Sequence, residues 1–150
     1  MKRWLIVLVA PAVLLPALAI IAFSVLAGGA GKEQEARRTP SEFPDFVYSS
    51  PKVEAGYRLA VENEQLFDHM PCYCGCGAMP EEPHRNLLDC FISDDSSFDS
   101  HASGCDVCLD IASDVVQWRA EGRSAAETRS LVDAKYQGYG PSTSTGPVAE

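Results

Sequence analysis

Residues 105–122, Cys105-Asp106-Val107-Cys108-Leu109-Asp110-Ile111-Ala112-Ser113-Asp114-Val115-Val116-Gln117-Trp118-Arg119-Ala120-Glu121-Gly122, decide the fold class. Apolar Val107, Ile111, Val115 and Trp118 recur at the spacing of one helix face and Gly122 stops the run, which predicts a helix from Asp106 to Glu121. A second helix follows at once. Ser124-Ala125-Ala126-Glu127 is a capping box, and Leu131, Val132, Ala134 and Tyr136 carry the apolar pattern to a stop at Gly138. Upstream, Ser50-Pro51 supplies an N-cap and a first-turn proline, and Val53, Tyr57, Ala60, Val61 and Phe67 keep helical spacing to about residue 68. Residues 78–104 are irregular except for a short helix expected at Pro83 to Phe91, with Leu87, Leu88 and Phe91 apolar and Cys90 beside them. The fold class is therefore mainly α: three to four helices with irregular loops in a small cysteine-rich domain.

The first helix delivers Pro71-Cys72-Tyr73-Cys74-Gly75-Cys76-Gly77, which holds three of the six cysteines. Alternate residues can turn to one side, so Cys72, Cys74 and Cys76 can converge on one soft cation. A disulfide within the triple would close a very small strained ring, whereas Cu(I) or Zn(II) is bound by soft thiolates without that ring. Gly75 and Gly77 let the backbone turn or approach a ligand closely. Cys90 and the Cys-x-x-Cys pair Cys105 and Cys108 complete the set, at a spacing common to zinc and dithiol sites. The N-terminus of the helix that follows stabilises thiolate at Cys105 and Cys108, which serves metal ligation and nucleophilic attack alike. A c-type haem is excluded, because Leu109 rather than His follows Cys108. The histidines available as ligands are His69, at a helix end, and His84 and His101, both in the polar stretches between cysteines. Asp94, Asp95 and Asp99 read as a solvated loop without the spacing of a calcium loop.

Composition narrows the partners. The 24 residues from Trp4 to Ala27 are uncharged and follow Lys2 and Arg3, so residues 1–30 are expected to hold a transmembrane anchor through residues 4–27. Val25-Leu26-Ala27 leaves a cleaved signal peptide as the alternative. With no cysteine before Cys72, lipoprotein processing is not expected. A long C-terminal part translocates largely regardless of charge, which places it outside the membrane as a single-pass, extracytoplasmic domain. Beyond the apolar segment, ten basic residues face twenty-one acidic ones. That balance opposes nucleic acid and favours cations. Residues 31–49 read as a linker ending in a docking strip at Phe43, Phe46, Val47 and Tyr48. Residues 50–140 form the cysteine-rich domain, and residues 141–150, rich in Ser, Thr, Gly and Pro, read as a disordered tail.

Over about residues 53–140 the chain resembles the bacterial PCYCGC-motif family, proteins anchored outside the plasma membrane by a membrane segment or a lipid. The resemblance rests on Pro71 to Gly77, Asp89-Cys90-Phe91-Ile92, His101, Gly104-Cys105-x-x-Cys108-Leu109-x-Ile111-Ala112, Glu121-Gly122-Arg123-Ser124, Lys135-Tyr136 and Gly138-Tyr139. It implies that the six cysteines and His101 belong to one arrangement. Many members carry a lipobox cysteine where this chain has only its apolar segment. Residues 104–136 are also similar to the helical thiol oxidoreductases of cytochrome c maturation, although the gap between cysteines and helix is shorter here.

The expected function is a membrane-anchored, extracytoplasmic metal-binding protein that buffers or delivers an ion, Cu(I) first and zinc next, to an extracytoplasmic metalloprotein partner. Its expected ligands are Cys72, Cys74, Cys76, Cys90, His101, Cys105 and Cys108, and six sulfurs suffice for a small multinuclear cluster. The alternative is a thiol-disulfide oxidoreductase with Cys105 and Cys108 as its redox pair. A third reading is a disulfide-stapled interaction module. No Gly-rich phosphate loop, Gly-x-Ser-x-Gly elbow or His-Glu-x-x-His is present, so phosphate and hydrolytic chemistry find no support.

Overall fold

The computed structural model describes residues 43–80 and 83–148. Four α-helices order this part of the chain: α1 Pro51–Glu62, α2 Glu64–Asp68, α3 Asp106–Ala120 and α4 Ala125–Tyr136. Among the described residues there is no strand, only an isolated antiparallel bridge between Ile92 and Phe98. No helix among them is long and apolar enough to cross a membrane. The anchor expected at residues 4–27 lies outside the described residues.

Two of the helices, α1 and α4, start where a backbone donor finds a side chain. Ser50 Oγ accepts the Val53 N–H with Pro51 at the first helical position, and Ser124 and Glu127 close the capping box of α4. The single first helix expected to residue 68 is divided at Asn63, whose side-chain amide donates to the Leu59 carbonyl at 2.8 Å. Such local bonding competes with helix propagation, so the chain bends into α2. Only a 3-10 turn, Leu88–Cys90, forms where a short helix is expected between Pro83 and Phe91.

The core lies where α1 packs on α3 and α3 on α4. Val53, Gly56, Tyr57 and Ala60 of α1 meet Cys108, Leu109, Ile111, Ala112 and Val115 of α3, while Thr128, Val132 and Tyr136 are the buried face of α4. Val107 and Trp118 are half-buried and Ala134 is exposed, so the stripes on α3 and α4 are rotated slightly from those read in the sequence. An aromatic chain of Tyr57, Phe91 and Phe67, with centroids 5.1 and 6.1 Å apart, joins α1 and α2 to the loop before α3. The docking strip is seated: Phe43 and Val47 are buried and Phe46 half-buried, with Tyr48 left exposed.

The chain beyond residue 140 departs from the disordered tail expected there. Residues 141–148 return across the Cys72 loop as a strap: Thr143 N–H donates to the Cys72 carbonyl at 2.9 Å, and Thr143 Oγ1 accepts the Cys72 N–H at 3.0 Å. Arg129 donates to the Gly146 carbonyl, and Thr145 Oγ1 to that of Arg85. Weak hydrophobicity misleads here, because the strap is held by backbone and hydroxyl hydrogen bonds rather than by apolar area.

Candidate metal centre

Four segments converge on one point. The loop after α2 brings Cys72, Cys74 and Cys76; the turn Leu88–Cys90 brings Cys90; the 3-10 turn His101–Gly104 brings His101; the first turn of α3 brings Cys108. The loop is fixed by its backbone. Leu87 N–H donates to the Met70 carbonyl at 2.8 Å, His84 N–H to that of Cys76 at 3.3 Å, and the strap holds Cys72. Gly75 adopts φ +85°, the left-handed conformation that a side chain disfavours, and this reverses the chain between Cys74 and Cys76. Gly140 passes so close that a Cβ there would meet the Tyr73 carbonyl at 3.0 Å. Tyr73 itself anchors to α4 through its hydroxyl, 2.7 Å from Asp133 Oδ1.

The donor atoms crowd together. Cys72 Sγ lies 3.4 Å from both Cys74 Sγ and Cys108 Sγ, Cys74 and Cys108 are 3.7 Å apart, and Cys76 and Cys90 are also separated by 3.7 Å. His101 Nε2 is 3.3 Å from Cys74 Sγ. Three overlapping sets of four have donor atoms all within 4.8 Å of one another: Cys72, Cys74, Cys76 and Cys90; Cys74, Cys90, His101 and Cys108; and Cys76, His84, Cys90 and His101. Cys72, Cys76, Cys90 and Cys108 are buried, whereas Cys74 and His101 are half-buried. A tetrahedral ion with metal–sulfur bonds of about 2.3 Å needs sulfurs about 3.8 Å apart. The spacings observed are close to that, and clustered Cys and His of this kind could hold a metal ion.

Crowding also separates the charges. Cys74 is pushed well below the ordinary thiol range by hydrogen bonds from Cys105, Cys108, Cys72 and Cys76, and Cys72 falls to about 4, chiefly through Cys108. Cys108, beside Cys105 and Cys72, Cys90, beside Cys108 and Cys72, and Cys76, beside Cys72 and Cys74, are all pushed up. His101 rises to about 10 because it pairs with Cys105 and Cys74. The crowding thus favours the thiolate at Cys72 and Cys74 and the imidazolium at His101, and the thiol at Cys76, Cys90 and Cys108.

Of the residues singled out in the sequence, six of seven donors fall within these sets. Cys105 stands half-buried at the N-cap of α3, beside Cys74 and His101, and belongs to none of the three. The donor missing from the expected ligands is His84, which is 7% exposed and sits edge-on to His101 with ring centroids 4.9 Å apart. Its place in a polar stretch between cysteines is the signal that points to it, shared with His101. His69 caps the end of α2 and belongs to no set. Asp99 is a structural residue of its loop: Oδ1 accepts the His101 N–H at 2.7 Å, and Oδ2 stands 3.6 Å from His84 Nε2. Asp94 pairs with Arg85 at the surface.

Fold and site together define a small helical domain built around a cage of cysteine and histidine donors. A family model described as "Protein of unknown function with PCYCGC motif" matches residues 27–148, and the chain belongs to that family. No curated protein and no solved structure matches it.

Proposed function

We propose that this chain is a membrane-anchored, extracytoplasmic metal-binding protein that buffers Cu(I), with Zn(II) next in preference, or hands the ion to a metalloprotein partner. The observation that carries this reading is the convergence of five cysteines and two histidines in overlapping sets of donors within 4.8 Å. Thiolate-rich surroundings prefer Cu(I) by softness, and burial of most of the sulfurs protects such an ion from water. The excess of acidic residues beyond the apolar segment favours cations. Anchoring rests on the uncharged run from Trp4 to Ala27.

Elemental analysis with thiol counting tests the reading on full-length chain purified from an oxidising compartment without added metal, then after anaerobic Cu(I) titration. Stoichiometric metal with protected thiols is expected, and replacing Cys72, Cys74 and Cys76 together by Ser should abolish it. Cys105→Ser should leave the stoichiometry unchanged, as Cys105 stands outside the donor sets. Chain that is fully disulfide-bonded and takes up no Cu(I) after reduction would sink the metal reading and leave dithiol exchange at Cys105 and Cys108, or structural bridges.

A further inference from the structure

The cage holds more donors than one ion can use. Seven residues take part in the three sets, whereas a thiolate-bound ion of this class takes four ligands at most. The donors also divide in space. Cys72, Cys74 and Cys108 form a triangle with edges of 3.4, 3.4 and 3.7 Å. His84 shares a set only with Cys76, Cys90 and His101, never with Cys72, Cys74 or Cys108. Cys90 alone belongs to all three sets.

His84 provides an independent observation. It is 7% exposed, and its Nδ1 is a buried nitrogen with no hydrogen-bond partner among the described residues. A buried polar atom left unpaired is destabilising, and a metal bond removes that penalty. Its other nitrogen, Nε2, faces Asp99 Oδ2 at 3.6 Å. A carboxylate behind the far nitrogen of an imidazole is the arrangement that fixes the tautomer and orientation of a metal-bound histidine.

We infer that the cage is a two-ion centre in which Cys72, Cys74 and Cys108 hold one ion, Cys76 and His84 Nδ1 hold the second, and the Cys90 sulfur bridges them. This rests on the metal reading above and adds the stoichiometry and the second site. His101 stands at the seam, within reach of both groups. Asp99 Oδ2, 3.6 Å behind the far nitrogen of His84, would orient the ring once the two close to hydrogen-bond distance. Filling the centre is acid–base chemistry only: each cysteine that enters as a thiol exchanges its S–H bond for a sulfur–metal bond and gives its proton to water, and no electrons move.

Anaerobic Cu(I) titration of the full-length chain, read by elemental analysis after removal of free metal, should saturate at two ions in the wild type and at one in His84→Ala and His84→Gln. In the same titration, nitrogen-15 spectra of wild type labelled at histidine should show the His84 ring resonances shifted at saturation, a readout independent of whether either variant folds. Saturation of the wild type at one ion, or His84 resonances unshifted at saturation, would overturn the two-ion centre while leaving the metal reading standing. Absence of any uptake by the wild type overturns both.

Discussion

Thr143→Val separates an ordered strap from a loose tail. Valine keeps the shape of threonine and loses the hydroxyl that accepts the Cys72 N–H at 3.0 Å. Thr143 is 3% exposed and Cys72 fully buried, so water cannot replace that partner. The bond from Thr143 N–H to the Cys72 carbonyl survives, since it needs no side chain. The loss is therefore that of one orphaned buried amide, about 1–3 kcal/mol, with the part-buried 2.8 Å hydrogen bond between the Thr143 and Thr145 hydroxyls lost beside it. For a domain of this size each kcal/mol moves the melting point by roughly 4 °C, so a drop of about 4–12 °C is expected. Circular dichroism melts of full-length, reduced, metal-free chain give the number, with Thr143→Ser as the control that keeps the hydroxyl. In a chain ending at Gly140 the strap is already gone, and the truncated chain should lose at least as much stability as Thr143→Val. Melting of Thr143→Val at the wild-type temperature would refute the seating of the strap on the cysteine loop.

Two further outcomes follow from packing and from protonation. A Cβ at Gly56 would lie 2.5 Å from Leu109 Cδ2 and 3.3 Å from Phe91 Cε1. Gly56→Ala should accordingly destabilise by about 1–3 kcal/mol through overpacking, less the roughly 1 kcal/mol that alanine gains in a helix. Adding Leu109→Ala should cancel the clash in a double-mutant cycle, and strictly additive effects would contradict the contact. Metal uptake should release protons at neutral pH, because Cys76, Cys90 and Cys108 are pushed up and remain thiols, and His101, raised to about 10, is an imidazolium. Protons and metal compete for these donors, so affinity rises with pH from neutrality upward, His101 being half deprotonated at about pH 10 and the raised thiols still protonated there. Cys72, lowered to about 4, adds its own proton to the competition only as the pH falls toward that value. Calorimetric titration in buffers of different ionisation enthalpy counts the protons, and a count of zero contradicts this arrangement.

Local rules made much of the molecule legible. The capping box at Ser124 and Pro51 at the first turn of α1 were both readable from neighbours in the chain, since each depends on residues a few positions apart. Where a local hydrogen bond competes with helix propagation, as at Asn63, the apolar pattern alone runs straight through the break. The strap was hidden for a different reason. Thr143 meets Cys72 across 71 positions through backbone and hydroxyl groups, which hydrophobic pattern does not register.

The sequence by itself determined the helical class and the density of thiols, because periodicity and residue chemistry are properties of short stretches. Tertiary structure alone decided which donors meet. Cys90, His84, His101 and Cys108 arrive from segments that share no repeat or spacing with the triple, and only the packing of α1 on α3 and the closing of the loops bring their atoms within 4.8 Å. Cys105 and Cys108 show the difference within one motif. Three residues apart in the chain and still neighbours in space, they differ in burial, because the first turn of α3 places Cys108 in the buried cage and leaves Cys105 at the half-buried cap.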